Sequence, residues 1–237
     1  MSSEDPELSL IIPCFNEAER ISSSLDKALA YFANVTYSYE ILIVDDGSRD
    51  DTVRVVSHYT PNGIRVIEQG INKGKGSVVR LGMISAKGKY RVFTDADFST
   101  PIEELPKLLT ELDKGADICI GSRRLDRSLV KQHQPWYREL IGVMGNKIIS
   151  LLLISGIEDT QCGFKGMTAR AAEALFPVMK IDGFGFDVEL LYLAKRIGLR
   201  ITQVPVLWYN DDRSRLNPIR DSIKTFSEIL RIKKLHS

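Results

Sequence analysis

Two acidic clusters stand out for the chemistry they can do, Asp95-Ala96-Asp97 and Asp45-Asp46-Gly47-Ser48. Side chains alternate along an extended segment, so Asp95 and Asp97 share one face and can hold one divalent cation between them. A cation held by carboxylates is the usual means of neutralising clustered phosphate charge, both in a bound ligand and in a departing one. A plainer explanation exists, because aspartate is common in turns and Asp-Asp-Gly-Ser is good turn chemistry. Position argues against it: each cluster follows an apolar, β-branched run, where strand ends converge in an open α/β sheet. Polar groups also follow two other runs, in Pro13-Cys14-Phe15-Asn16-Glu17 and Gly121-Ser122-Arg123.

The elements that must position these residues can be read from periodicity. Apolar runs at 8–12, 40–44, 64–67, 90–94 and 118–121 predict strands, and 17–32, 51–58, 75–85 and 103–112 between them have helical spacing. This alternation predicts an α/β fold with a Rossmann-like, doubly wound, mostly parallel sheet and helices on both faces. Asn16, Asp50 and the run Pro101, Glu103, Glu104 mark helix starts. After Gly121 the alternation breaks down. A basic connection leads to a long helix at about 136–153, a segment 159–167, helices at 168–176 and 187–196, a last strand 201–206, and an amphipathic helix. That final helix carries Ile219, Ile223, Phe226 and Leu230 on one face, which is expected to pack on the core, with a membrane surface as the alternative.

Bulk properties exclude several classes. The 237 residues suit one domain, and 43% hydrophobic with 27% charged residues is ordinary for a globule. A formal net charge of +1 supplies no global field for nucleic acid, so no nucleic-acid partner is expected. The three cysteines are far apart and lack a CxxC spacing, which fits a reducing compartment better than a disulfide scaffold or zinc site. Residues 1–10 are acidic rather than basic ahead of the first apolar run, the wrong polarity for a signal peptide. The longest apolar stretch, 148–157, is about half the roughly 20 residues a spanning helix needs. No GxGxxG follows the first strand, no P-loop or GxSxG elbow is present, and the three histidines form no ligand cluster, which sets aside dehydrogenase, P-loop and hydrolase chemistry. Gly74 and Gly76 are expected to permit a tight turn.

Four ordered motifs, IIPCFNEAERI, IVDDGSRDDT, NKGKGSVVRLGM and FTDADFSTP, resemble family 2 glycosyltransferases of the GT-A fold, and the resemblance covers almost the whole chain. DTQCGFKGM and GFGFDVELLYLA are similar to the dolichyl-phosphate β-glucosyltransferase branch, with the polyprenyl-phosphate mannosyltransferases next to it. The resemblance implies a single GT-A domain over 1–237, in which about 1–121 binds a nucleotide-sugar donor and about 122–237, with the C-terminal amphipathic helix, binds the acceptor. It further implies an inverting transfer of a hexose, glucose from UDP-glucose in the first instance, to a polyprenyl phosphate at the cytoplasmic face of a membrane that the protein meets peripherally. The alternatives are mannose from GDP-mannose and a sugar hydroxyl as acceptor. A homo-oligomer or a membrane-protein partner is compatible with either.

By the same resemblance Pro13, Phe15, Glu17, Asp45 and Asp46 line the nucleotide pocket, Lys75 joins the donor site, and Asp95 and Asp97 hold Mg²⁺ or Mn²⁺. The mannosyltransferases carry a Gln two residues after the second Asp, where this chain has Ser99. Arg123 and Arg138 resemble arginines that grip the acceptor phosphate, a task that suits the planar guanidinium fork. The basic run Arg123, Arg124, Arg127, Lys131 and Arg138 reads otherwise as a solvated surface, but Leu129, Trp136 and Tyr137 tilt it toward a membrane-facing one. Arg213 and Arg215 stand where relatives carry bases that reach the diphosphate; the bland reading is a surface ion-pair patch. Asp187 is either the base of a hydroxyl-acceptor enzyme or a residue that holds sugar hydroxyls or caps its helix.

Overall fold

The computed structural model describes residues 5–132, 145, 146, 149, 153–210 and 218–237. Most of the helix expected at 136–153 lies outside these residues, as do Arg138, Arg213 and Arg215.

The strands are β1 (Leu8–Cys14), β2 (Tyr39–Asp45), β3 (Ile64–Glu68), β4 (Tyr90–Phe93), β5 (Ile118–Ser122), β6 (Val130–Gln132), β7 (Lys165–Thr168), β8 (Ile201–Pro205) and β9 (Trp208–Tyr209). The α-helices are α1 (Ile21–Phe32), α2 (Thr52–Ser57), α3 (Lys75–Ser85), α4 (Leu105–Asp113), α5 (Ala169–Leu175), α6 (Phe186–Arg196) and α7 (Pro218–Leu235). Seven strands form one sheet in the order β3-β2-β1-β4-β7-β5-β8, and β6 pairs with β9 beside it.

Every residue of β1 is buried, as the continuous run LSLIIPC requires of a strand covered on both faces. Its side chains feed two cores in alternation. Ile11 joins Val79, Met83 and Phe186 on one side, whereas Leu10 and Ile12 join Leu25, Leu105 and Phe164 on the other. The result is a three-layer α/β/α sandwich. The five expected strands and the parallel pairing of β3, β2, β1 and β4 are present.

Four features depart from expectation. Segment 159–167 contributes a central strand: β7 inserts antiparallel between β4 and β5, pairing Phe93 with Lys165 and Ile120 with Lys165. Four residues containing a lysine give no strand periodicity, so only the two flanking edges that accept it define it. Helix α1 starts at Ile21, and Asn16 does not cap it; Asn16 adopts φ 55 in the preceding loop. The helix expected at 103–112 opens with a 3-10 turn at Ile102–Glu104 before α4. The stripe on α7 faces outward: Ile223 is 68% and Leu230 56% exposed, and Phe226 is also exposed, while Ile229 and Ile232 make the core contact. Two apolar faces on one helix look alike in a periodicity count, and the tertiary contacts choose between them.

Candidate active site

The sheet opens where the strand order reverses. β1 pairs with β4 only from Leu8 to Ile11, so the strands part beyond Ile11 and Phe93. Pro13 can occupy a central strand because no β4 residue lies opposite it to receive the N–H it lacks. The β1 end leads to Phe15 and Glu17, and the β4 end to Asp95 and Asp97, on the two lips of this crevice. Ligands of open α/β sheets bind at such a switch point.

On the first lip, loops after β1 and β2 are sewn together. Asn16 donates its N–H to Ser48 Oγ (2.8 Å) and accepts from the Arg49 N–H (2.8 Å). The Glu17 N–H reaches Thr52 Oγ1 (2.7 Å), and Thr52 in turn donates its N–H to Asp50 (3.0 Å). Asp50 therefore does serve the start of α2. Pro13 is buried, whereas the Phe15 ring stands exposed, as a surface that a planar base can stack on requires. The Glu17 carboxylate grips Arg20, whose guanidinium also lies 3.8 Å from Asp97 and so spans the crevice.

Asp45 and Asp46 are both buried and play different parts. Asp45 accepts from the Ser48 N–H (2.8 Å) and hydroxyl, fixing the turn that shapes this first lip. Asp46 turns toward the next loop and accepts from Gln69 Nε2 (2.7 Å) and from the N–H groups of Lys73 (2.8 Å) and Gly74 (2.9 Å). Burial pushes the Asp46 carboxyl above the usual range, and those donors offset it in part. Gly74, at φ 118, is where this loop turns into α3, a backbone geometry closed to residues with a Cβ.

On the second lip, Asp95 and Asp97 are half-buried on one side of the chain. Asp97 accepts from the Ser99 N–H (2.9 Å), and burial followed by its neighbour Asp95 raises its carboxyl above the ordinary value. Phe98 between them and the following turn has φ 47, a strained conformation for a bulky residue. Asp95 receives Lys75 Nζ at 2.5 Å from the first turn of α3. Burial opposes the charge on Lys75, yet Asp95, Asp187 and Asp97 together hold its ammonium above the usual value. The Asp95 carboxylate lies directly over Gly163, and any Cβ there would collide with it. Asp97 opens on a groove of 660 Å³ lined by Phe98, Ser99, Gln132, Tyr209 and Asn210 among others.

Among the described residues no cluster of three or more His, Cys, Asp or Glu side chains can hold a metal alone. A pair of carboxylates with open space beside it fits a divalent ion that completes its shell with substrate phosphate oxygens and water, the habit of Mg²⁺.

Beneath this lip are two ion pairs, one fully buried and one with a half-buried cation. Lys165 on β7 is fully buried; its Nζ donates to the Cys162 carbonyl (2.5 Å) and to Asp187 and lies 5.5 Å from the Phe93 ring centre. Burial pushes the Asp187 carboxyl up, against the pull of Lys165 and Lys75. Arg123 forks onto Asp159 through Nε (2.7 Å) and Nη2 (2.8 Å), and its backbone N–H reaches the same carboxylate (3.1 Å). Burial opposes both charges, but the pairing keeps Asp159 below and Arg123 above their ordinary values. Any anion that approached Arg123 would therefore share it with Asp159. The three cysteines are free and buried; burial pushes Cys119 and Cys162 to about 11 and Cys14 higher, so none is poised as a thiolate.

The structure thus brings Phe15, Glu17, Lys75, Asp95, Asp97 and, below them, Asp187 to one crevice. Lys165, Asp159, Gly163 and Gln69 were missed as individual residues. Asp159, Gly163 and Lys165 lie inside the motif DTQCGFKGM, which was the available signal.

A mostly parallel α/β sheet with two carboxylates at its switch point is a ligand-binding arrangement of open α/β enzymes. Residues 9–176, more than half of the chain, match the family described as Glycosyl transferase family 2. The chain is 37% identical over 227 residues to a dolichyl-phosphate beta-glucosyltransferase of Drosophila melanogaster, covering 90% of this chain and 70% of that protein. It is 35% identical over 241 residues to one of Dictyostelium discoideum, covering 95% and 73%. The crystal structure of Mycobacterium tuberculosis glucosyl-3-phosphoglycerate synthase with Mn²⁺, UDP-glucose and phosphoglyceric acid superposes with a TM-score of 0.70 at 21% identity, over 96% of this chain and 79% of that one, which shows a common GT-A fold. The chain belongs to glycosyltransferase family 2.

Proposed function

We propose that the chain transfers glucose from UDP-glucose to a dolichyl or other polyprenyl phosphate, with inversion at the anomeric carbon. The observation that carries this is the pairing of Asp95 and Asp97 across the crevice from Phe15 and Glu17, in a chain whose relatives are named dolichyl-phosphate beta-glucosyltransferases. Phe15 and the Asp45 turn would seat the nucleotide. Asp95 and Asp97 are the residues that would hold Mg²⁺ or Mn²⁺, and such an ion, when bound, neutralises diphosphate charge. Lys75, already at Asp95, is placed to offer its ammonium to the same phosphates.

An acceptor phosphate oxygen forms the new bond to the anomeric carbon as the bond to the nucleotide diphosphate breaks, and the electron pair leaves with that diphosphate. A phosphate is ionised at neutral pH, so no residue need remove a proton. That agrees with Asp187, which is buried and tied to Lys165 rather than open as a base. The acceptor's long chain places the reaction at a membrane surface, which we assign to the cytoplasmic face; no helix among the described residues is long and apolar enough to cross a membrane.

A panel of radiolabelled nucleotide sugars tested with polyprenyl phosphate and with free sugars decides the matter. Glucose on the lipid phosphate is the expected product. Mannose from GDP-mannose on that lipid, or label on a free sugar only, would replace the reading with one of its alternatives.

A further inference from the structure

Helix α7 is fastened to the body on one side and presents unpartnered apolar residues on the other. Ile229 and Ile232 are buried, Glu228 Oε2 accepts the Gly185 N–H (3.0 Å), and Lys180 Nζ donates to the Leu235 carbonyl (2.6 Å). The opposite face carries Ile223, Phe226 and Leu230, one turn apart and exposed. Lys233 and Lys234 continue that face, also exposed.

Beside this ridge runs a groove of 220 Å³ whose lining includes Lys73, Lys180, Lys224 and Arg231. Of its two carboxylates Asp182 pairs with Arg80 (2.5 Å), which leaves Glu228, bonded to the Gly185 N–H, against the four cations. An apolar ridge flanked, among the described residues, by more cations than carboxylates is complementary to a surface with apolar depth and anionic headgroups. A second copy of the chain fits it poorly. Stable dimers bury about 800 Å² per partner in patches depleted of lysine, and three side chains ringed by cations fall well short.

We infer that the Ile223-Phe226-Leu230 face of α7 seats on an anionic bilayer, with the Lys224 and Arg231 side of the helix against the headgroups. This deepens the lipid-phosphate reading above by naming the surface that meets the membrane. The same helix holds the turn before Asp187 through Glu228, so a seated α7 keeps the floor of the crevice at a set distance from the bilayer.

Flotation of the full chain with vesicles of phosphatidylcholine alone and of phosphatidylcholine with phosphatidylserine is the test. The wild type should bind the mixed vesicles and release them as salt rises. The double substitution Phe226→Asp, Leu230→Asp should lower the partition more than about tenfold. Lys224→Ala with Arg231→Ala should lower it on the order of twentyfold on mixed vesicles and leave binding to phosphatidylcholine alone unchanged. Both variants should keep the wild-type melting temperature and UDP affinity, since these side chains are exposed on α7. Wild-type binding by the Phe226→Asp, Leu230→Asp variant overturns the inference, as does equal affinity for the two vesicles. So does a dimer, seen by ultracentrifugation, that this variant dissociates. Transfer to a water-soluble short-chain prenyl phosphate without vesicles reports the proposed reaction separately, so each can fail alone.

Discussion

The two halves of the crevice hold their carboxylates by different means. On the proposed donor side Asp45, Asp46 and Asp97 are hydrogen-bonded by backbone N–H groups, a hydroxyl and an amide, with one cation, Arg20, 3.8 Å from Asp97. On the proposed acceptor side Asp159 and Asp187 are held by cations, the half-buried Arg123 and the fully buried Lys165. Asp95, with Lys75, stands at the boundary. Neutral donors leave a carboxylate's charge available to a cation or a ligand, whereas an ion pair cancels it. The proposed donor half is thus suited to receive charge, and the proposed acceptor half to hold a shape.

Breaking each half should have its own signature. The largest effect is expected from Asp97→Ala, which should lower transfer on the order of a thousandfold with the circular dichroism spectrum and melting temperature intact. Turnover near wild type would remove the donor half's claim to the chemistry. Lys165→Met should instead act on stability, costing about 3–5 kcal/mol in denaturant titrations because Asp187 is left buried without its cation. Joined to Asp187→Leu it should recover most of that loss; simple addition of the two costs would show that the residues do not work as a pair.

Asp187→Asn sharpens the contrast further. Asn can still accept from Lys165, so transfer to a lipid phosphate should fall less than about tenfold. A loss as deep as that of Asp97→Ala would make Asp187 a base after all.

The smallest effect concerns acid. Asp159 is held below its ordinary value, so its stabilisation is complete above the unfolded carboxyl's value of about 4 and disappears as pH falls through the lower folded one. Melting temperatures followed downward from neutral pH should show a shallower acid limb in Asp159→Asn than in the wild type. Parallel curves would assign the acid limb to other groups.

Much of the donor half was legible because its signals are local. Asp45 and Ser48 lie in one turn, Asp97 and Ser99 in another, and strands such as LSLIIPC announce burial by composition alone. The acceptor half was legible only as a motif. Lys165 and Asp187 are 22 residues apart, and Arg123 and Asp159 are 36 apart. No periodicity relates such partners, and a lysine in a short run argues against the buried strand it occupies. The apolar stripe of α7 was visible, but its direction was not: residues 223, 226 and 230 and residues 229 and 232 are both acceptable inward faces until the body of the protein selects one.

The amino-acid sequence alone determined the alternation of strands and helices and the acidic residues at the strand ends, since each follows from spacing within a few residues; where the strand order reverses was decided by the pairing of β1 with the distant β4. Tertiary structure decided that β7 runs antiparallel through the centre of the sheet, that Lys165 neutralises Asp187, and that α7 turns its stripe to solvent. Those outcomes depend on which distant surfaces meet in a low-dielectric interior, where an unpaired charge is too costly to remain and a paired one can be kept.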